Sequence, residues 1–191
     1  MNKKNVAKGL ILLLFCCLAM PGLAQGQASK GQFIVDFGVA FTQATVDDAA
    51  TGALGIDIFA GKMLTSGLCL GLSAGGDIVS YEKIGDYHSR LAVLPLIVKA
   101  RYYITFNRML QAHASLAGGV YYISPHLAEG SIGGVRYSMN QPGGSVGIGI
   151  DYYFLLTQGV TFELEYHMFN TDNDGMFGYF AARVNYSLIK F

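Results

Sequence analysis

Two glutamates, Glu163 and Glu165, have the residue type and spacing of a catalytic pair. In an extended strand, side chains two residues apart project from the same face, about 7 Å from each other. Glycosidases use two carboxyl groups at such separations, one as general acid and the other as base or nucleophile. The same carboxylates can instead form ion pairs with buried cations. What faces them decides between these roles.

The remaining polar clusters give weaker signals for a ligand site. Asp172 and Asp174, with Asn170 and Asn173, offer oxygen ligands for Ca²⁺, but they do not complete a calcium-loop motif, so a solvated turn is preferred. Glycine-rich runs are not followed by a helix, so no phosphate-binding loop is predicted. The histidines lack metal-ligand spacing, and we predict neither a metal site nor a cofactor: His88, His113, His126 and His167.

The two glutamates lie in residues 160–168 (VTFELEYHM), which alternate strictly between apolar and polar side chains. Successive side chains of a strand point to opposite faces, so this alternation predicts a strand with two distinct faces. One face carries Val160, Phe162, Leu164, Tyr166 and Met168, and the other carries Thr161, Glu163, Glu165 and His167.

Eight segments of about ten residues alternate in the same way, and this is the length at which a tilted strand crosses a bilayer. Their connections are long at 42–52, 77–89, 124–143 and 170–176, and short at 64–67, 105–108 and 155–159. This pattern predicts an all-β fold, an eight-stranded antiparallel up-and-down transmembrane β-barrel with short periplasmic turns and longer extracellular loops. Pro95 interrupts one segment and indicates a local bulge or a strand that begins late.

The first residues have the features of an export signal. Lys3, Lys4 and Lys8 precede the apolar run GLILLLFCCLAM, which is shorter than a membrane-spanning helix. Small residues follow, and we predict cleavage after Ala24, so that residues 1–24 are a signal peptide and residues 25–191 form one barrel domain.

Cysteine content and charge exclude other classes of protein. Cys69 is the cysteine that remains after residue 24, so an intramolecular disulfide is excluded, and its place in a strand predicts a buried thiol. The formal net charge of the whole chain is zero, which gives no attraction to nucleic acid.

A soluble barrel would also alternate, with apolar side chains inside and charges outside. Here the polar faces consist mostly of Gly, Ser, Thr and Ala with scattered charges, which is unusual for a surface in water. Aromatic residues lie nearer the strand ends, as in the girdles of membrane barrels: Phe33, Tyr102, Tyr122, Tyr152, Phe154, Tyr166 and Tyr186. The membrane barrel is therefore preferred.

The membrane interpretation assigns the two faces. An Arg or Lys that faces lipid at mid-bilayer costs about 2–4 kcal/mol, and several such residues would exceed the roughly 5–15 kcal/mol stability of a typical domain. The charged face must therefore point inward. We predict a lumen network of Asp36, Asp57, Asp151, Glu163 and Glu165 with Lys99, Arg101 and Arg183, in which His113, His167 or a protonated carboxyl balances the excess acid. Phe162, Leu164, Tyr166 and Tyr186 are predicted to face lipid.

With its signal peptide, eight segments, charged inward face and terminal Phe191, the chain resembles the OmpA/OmpX-like eight-stranded outer-membrane barrels. Residues 94–102 (LPLIVKARY) are similar to the mid-barrel strand of such proteins. The resemblance implies a place in the bacterial outer membrane, contact with its lipids and insertion by the outer-membrane assembly machinery. Phe191 departs from the pattern, because by alternation it would lie on the same strand face as Ile189 and opposite to the lipid-facing Leu188.

The segment His167-Met168-Phe169-Asn170 also resembles the histidine segment of the eight-stranded lipid A deacylases. In that family a serine two residues after the histidine is the nucleophile, whereas Phe169 stands at that position here. The histidine also points inward by parity, away from a lipid substrate. A deacylase is therefore disfavoured, and we predict that the protein is not an enzyme.

The favoured hypothesis is a structural and interaction protein, whose surface loops serve adhesion, envelope integrity or ligand binding above a lumen filled by side chains. Candidate contact residues in the loops are Tyr81, Tyr87, His126, Arg136 and Tyr137. The alternative is a porin-like channel for small solutes or ions, which requires an open lumen. In a closed lumen, Glu163 and Glu165 meet no polysaccharide, so the ion-pair role is preferred for them.

Overall fold

The structure is a computed structural model, which describes residues 30–45, 52–84, 87–124, 140–171 and 175–190. All regular structure in these ranges is β-strand. The strands are β1 (Phe33–Ala44), β2 (Ala53–Met63), β3 (Leu68–Ile84), β4 (Tyr87–Thr105), β5 (Leu110–Ser124), β6 (Asn140–Leu155), β7 (Gln158–Thr171) and β8 (Gly175–Lys190).

The eight strands form one closed barrel in sequence order. Each strand pairs antiparallel with the next, and β1 closes the ring against β8, where Val39 lies opposite Val184. The predicted eight-stranded up-and-down barrel is therefore confirmed. Within the described ranges, we find no helix with the length and hydropathy needed to cross a membrane.

The period-two pattern of the sequence places the two faces of each strand. In β2, for example, Asp57 and Phe59 are buried, whereas Ile56 and Ile58 are at least half exposed. The four residues predicted to face lipid, Phe162, Leu164, Tyr166 and Tyr186, all project outward with partial or full exposure. The barrel is thus polar inside and apolar outside, the inverse of a soluble barrel.

The two ends of the barrel differ in their connections. The short turns 64–67, 106–109 and 156–157 share one end with the start of β1 and the end of β8, and we call this the turn end. At the opposite end, which we call the loop end, the chain passes from β1 to β2, from β3 to β4, from β5 to β6 and from β7 to β8.

The prediction of a long loop at 77–89 is wrong. β3 continues to Ile84 and β4 begins at Tyr87, so only residues 85–86 separate them. The extra length pairs as a hairpin, with one register shift between Ser80 and Glu82. Polar residues and glycine, which are typical of loops, dominate this stretch, so its composition gives no sign that the two strands continue.

The other loop boundaries were also drawn too wide. β1 extends to Ala44, β6 begins at Asn140, β7 reaches Thr171 and β8 begins at Gly175. The strands contain between 11 and 19 residues, longer than the ten predicted. The signal-peptide prediction for residues 1–24 and the question of Phe191 lie outside the described residues.

Pro95 lies inside β4 without the predicted bulge or late strand start. Its pairing with Tyr121 of β5 belongs to an unbroken register. On the other side, pairing with β3 is interrupted opposite Gly75 and Gly76 and resumes in the same register. A Cβ at Gly75 would lie 3.5 Å from Pro95 Cγ, an ordinary contact, so Gly75 and the proline ring are neighbours across this gap. One gap in a single ladder therefore absorbs the missing N–H.

Two apolar clusters fill the lumen on either side of its centre. The turn-end plug consists of Ile34, Phe59, Met63, Cys69, Tyr103, Tyr153 and Ile189. The loop-end plug consists of Ala44, Val79, Leu91, Val93, Ile97, Ala117, Tyr121, Ile123, Phe169, Phe177, Tyr179 and Ala181. In the loop-end plug the Phe169 ring stacks on Tyr121 at 5.3 Å and contacts Phe177 at 5.2 Å. Cys69 is a buried free thiol, as predicted.

Candidate functional site

Between the two plugs lies a layer of buried charged side chains, which we call the charged layer. Its members come from all eight strands and are each at most 5% exposed. They are Asp36, Asp57, Asp77, Lys99, Arg101, His113, Asp151, Glu163, Glu165, His167 and Arg183. The structure therefore brings together all ten residues of the predicted lumen network and adds Asp77.

Lys99 reaches across the lumen from β4 to the two glutamates of β7. Its Nζ lies 2.9 Å from Glu165 Oε2 and 3.5 Å from Glu163 Oε1. Because the glutamates are two residues apart on one strand, they share the inward face and present both carboxylates to one ammonium group. This arrangement makes them ion-pair partners of a cation instead of an acid and base around a substrate.

Arg101, two residues after Lys99, binds the next pair of acids. Its guanidinium contacts Asp36 through Nη1 and lies 3.0 Å from Glu163 Oε2 through Nη2. The same group lies over the ring of Phe59, with Cζ 4.1 Å from the ring centroid. The planar guanidinium thus joins the charged layer to the turn-end plug.

Arg183 of β8 contacts three acids. Its nitrogens lie 3.1 Å from Glu165 Oε2, 3.2 Å from Asp77 Oδ2 and 3.5 Å from Asp57 Oδ1. These acids belong to β7, β3 and β2, so a single side chain ties together strands from several parts of the wall. Asp77 also accepts a hydrogen bond of 2.8 Å from the Tyr179 hydroxyl, which belongs to the loop-end plug.

The hydrogen bonds of His167 define its tautomer. Arginine nitrogens only donate, so His167 Nε2 accepts from Arg183 Nη2 at 3.0 Å. The ring proton is then on Nδ1 and is donated to the Tyr121 hydroxyl oxygen at 2.9 Å, while that hydroxyl donates to the Gly144 carbonyl at 3.0 Å. The His167 ring is stacked on Tyr179 with a centroid distance of 4.7 Å.

His113 is the histidine that faces carboxylates on both sides. Its Nδ1 lies 2.7 Å from Asp151 Oδ2, and its Nε2 lies 3.6 Å from Glu163 Oε1. Only the Asp151 contact is within hydrogen-bond distance, while Nε2 faces Glu163 at a longer range. His113 thus lies between two acids of the charged layer.

Two inward glycines of β6 make room for this part of the layer. A Cβ at Gly149 would lie 2.5 Å from His113 Cε1, and a Cβ at Gly147 would lie 2.6 Å from Ser115 Oγ. Gly149 lies directly opposite His113 of β5 and Glu163 of β7, and Gly147 lies opposite Ser115 and Glu165. A glycine here is required by the close approach of these side chains and not by a turn.

Serine and threonine hydroxyls on other strands donate hydrogen bonds to carboxylates of the charged layer. Ser115 donates to Glu163 at 2.8 Å, Ser145 to Glu165 at 2.5 Å and Ser73 to Asp57 at 3.1 Å. Thr161 donates to Asp151 at 2.5 Å. The small polar residues of the inward faces therefore hold the acids in place, in addition to leaving space for them.

The surroundings of His167 do not match a deacylase. The side chains in contact with it are Tyr121, Tyr179, Arg183 and Glu165. Phe169, at the position of the expected serine, is 1% exposed and packs inside the loop-end plug. A nucleophile at this position would face the lumen core, away from the apolar outer surface.

No cluster with the geometry of a metal site occurs among the described residues, taking groups of three or more His, Cys, Asp or Glu side chains. The Ca²⁺ candidates Asp172, Asn173 and Asp174 lie outside the described residues, as do His126, Arg136 and Tyr137. Tyr81, Tyr87 and His88 belong to the β3–β4 hairpin, where the structure describes the backbone.

Sequence reasoning missed Asp77, Tyr121 and Tyr179 as members of this network. Asp77 has the same parity as the inward residues Cys69, Ser73 and Gly75, so the alternation of β3 already carried the signal. The polar stretch that follows Asp77 is typical of a loop and conceals this signal. The two tyrosines lie on inward faces that are otherwise mostly small and polar, so the pattern does not predict an aromatic cluster in the lumen.

Comparison with known proteins identifies the fold. No family model and no curated protein match the chain. Among solved structures, Neisserial surface protein A aligns with a TM-score of 0.63 at 12% identity, over 83% of this chain and 99% of that one. The outer membrane protein OprG from Pseudomonas aeruginosa also has a TM-score of 0.63, at 13% identity and 88% and 99% coverage.

The N-terminal β-barrel domain of Pseudomonas aeruginosa OprF aligns with a TM-score of 0.51 at 18% identity, over 84% of this chain and 100% of that domain. At these identities the comparisons show a shared fold and carry no residue roles. The resemblance to eight-stranded outer-membrane barrels is thereby confirmed at the level of the fold.

Proposed function

We propose that this chain is a bacterial outer membrane barrel protein with a closed lumen, which acts as a structural and interaction protein through its loop end. The observation that carries the proposal is the charged layer sealed between two apolar plugs, inside a wall whose outer face is apolar. An apolar outer face of this extent needs lipid, and a barrel is the β-structure that satisfies every backbone group there.

The lumen supports a closed barrel over a channel. Its centre holds ion pairs of 2.9–3.5 Å between buried side chains, and the two apolar plugs lie on either side of them. An eight-stranded barrel encloses little more than its own side chains. Transport through the lumen would therefore require that both plugs move and that these ion pairs separate.

The loop end is the natural place for a function, because the turn end consists of tight connections. The β3–β4 hairpin, residues 78–91, rises beyond the last β2–β3 pair, which joins Gly55 to Asp77. A barrel anchored by its apolar wall would hold this hairpin and the other connections of the loop end outside the cell. Adhesion, envelope integrity and ligand binding are the roles that suit such an element.

Membrane fractionation tests the proposal. Outer membranes are isolated from cells that express the full chain, and migration on a detergent gel is compared before and after heating. We expect the chain in the outer-membrane fraction, with a heat-dependent change in mobility that reflects a stable barrel. Recovery of the chain in the soluble periplasm without such a change would overturn the proposal.

A further inference from the structure

The charged residues outside the lumen are unevenly divided between the two ends of the barrel. The turn-end stretches 30–33, 62–68, 105–110, 154–160 and 187–190 contain Lys30, Lys62, Arg108 and Lys190 and no Asp or Glu. At the loop end the β3–β4 hairpin mixes both signs, with Glu82 and Asp86 close to Lys83 in sequence. The turn end therefore carries only positive charge in these stretches.

Three of these four basic residues belong to one sector of the wall, around Phe33. In the strand register Phe33 lies directly opposite Lys62 on β2 and opposite Lys190 on β8. Lys30 lies beside β2, because Gly31 N–H donates to Met63 O at 2.8 Å and Met63 N–H donates to Gln32 O at 2.9 Å. We call Lys30, Lys62 and Lys190 the lysine cluster.

Phe33 lies between the lysine cluster and the apolar outer wall. Its ring is 49% exposed on the outer face, and Lys62 Nζ lies 5.4 Å from the ring centroid. Lys62 and Lys30 are both exposed. A lysine beside an outward aromatic ring at the edge of an apolar band has the position of a residue that reaches into the headgroup region of a bilayer.

We propose that the lysine cluster binds the phosphate headgroup of an anionic phospholipid at the turn-end surface of the membrane. The inference rests on the proposed function, since it takes the apolar wall as the membrane-embedded part of the barrel. Lys30 and Lys62 are exposed, Lys190 lies opposite Phe33 in the register of β8, and the turn-end stretches given above contain no Asp or Glu. This sector therefore suits a phosphodiester, with the outward Phe33 placed to contact acyl chains beside it. Each lysine near an anionic lipid surface strengthens binding by about fivefold.

Native mass spectrometry of the full chain in detergent tests this binding. Phosphatidylglycerol and phosphatidylcholine with identical acyl chains are titrated separately, after a heat-shift gel has verified that each variant is folded. We expect the wild-type chain to retain phosphatidylglycerol in preference to phosphatidylcholine. Lys62→Gln should weaken phosphatidylglycerol binding about fivefold, and Lys30→Gln/Lys62→Gln/Lys190→Gln should abolish the preference.

Two controls separate the cluster from general charge. Lys83→Gln removes one positive charge at the loop end and should leave the preference unchanged. Arg108→Gln removes the basic residue of the β4–β5 turn, which lies outside the cluster, and should also leave it unchanged. Equal retention of both lipids by the wild-type chain, unchanged phosphatidylglycerol binding in Lys62→Gln, or a preference that persists in the triple variant would overturn the proposal.

Competition with inorganic phosphate distinguishes a phospholipid site from a free-phosphate site. Inorganic phosphate added at the lipid concentration should not displace phosphatidylglycerol, because it lacks the acyl chains that contact the outer wall. Complete displacement would overturn the lipid assignment in favour of a free-phosphate site. Lipid binding in vitro is independent of cell fractionation, so failure of the lysine cluster and failure of the outer-membrane proposal give different results.

Discussion

Arg183 Nη2 lies 3.2 Å from Asp77 Oδ2, although 106 residues separate the two in sequence. β8 supplies the cation and β3 the acid, so the contact crosses the lumen between strands that do not pair with each other. The same arginine contacts Glu165 and Asp57. The charged layer thus joins opposite sides of the barrel wall, an arrangement that we call the cross-brace. Its removal should lower the stability of several strands together.

Arg183→Leu should lower the free energy of unfolding by about 3–5 kcal/mol, because it leaves Asp57, Asp77 and Glu165 buried without this cation. Urea titration of the barrel refolded in lipid vesicles measures the change. Arg108→Leu, in an exposed turn, is the control and should change stability by no more than about 0.5 kcal/mol. Equal effects of the two substitutions would contradict the cross-brace.

Asp77→Asn should be less costly than Arg183→Leu, since Arg183 keeps Glu165 and Asp57. A double-mutant cycle with Arg183→Leu and Asp77→Asn should give a coupling energy of about 0.5–3 kcal/mol, as residues of one ion-pair network do. Strict additivity within about 0.3 kcal/mol would show that the pair makes no direct contact.

Gly149→Ala should destabilise the barrel by about 1–3 kcal/mol, because the new Cβ would press against the His113 ring and force it from Asp151. Gly118→Ala is the matched control on the neighbouring strand, because its Cβ would meet the Gly143 carbonyl at an ordinary 3.8 Å. Unfolding midpoints compare the two. A larger loss for Gly118→Ala would contradict the packing described for the charged layer.

Glu163→Leu and Leu164→Arg test the assignment of the two faces with neighbouring residues. Leu164→Arg should impair membrane insertion, since an outward Arg near mid-bilayer costs about 2–4 kcal/mol. Glu163→Leu should insert but unfold at lower urea, because Arg101 loses one of its two acids. Quantification of each variant in outer membranes, followed by urea titration, separates these effects. If both are tolerated equally, the faces are wrongly assigned.

Phe169→Ser places a serine two residues after His167. We expect no change in lipid A by mass spectrometry, because the side chain points into the loop-end plug. We also expect a loss of about 3–5 kcal/mol in stability, as for removal of a buried aromatic ring. Hydrolysed acyl chains in this variant would show that the lumen-facing histidine reaches a lipid substrate.

The faces and the strand count could be predicted from the sequence. Hydropathy alternates with a period of two wherever one side of a strand points into the lumen and the other lies on the apolar outer surface. The partner of each charge could not. Whether Lys99 contacts Glu163, Glu165 or both depends on strand register and barrel stagger, which place β4 across from β7. Parity limits a charge to the lumen without choosing its neighbour.

The length of the β3–β4 hairpin could not be predicted from the alternation of apolar and polar residues either. Residues 78–91 pair with each other, but polar residues that are typical of turns dominate this stretch and its hydropathy alternates only weakly. Asp77 directly precedes this polar stretch, so the sequence predicts it in a loop and not in the lumen network. The aromatic plugs were missed for a related reason, because inward Tyr121 and Tyr179 interrupt a face that is otherwise small and polar.

Planar-bilayer conductance of the full chain tests the closed lumen most directly. The barrel is reconstituted at single-molecule density, and its fold is verified by the heat-dependent gel shift. With the ion pairs of the charged layer between the two plugs, the current should stay at the closed level throughout the recording. Sustained unitary openings of the wild-type barrel would contradict the closed lumen and favour a channel.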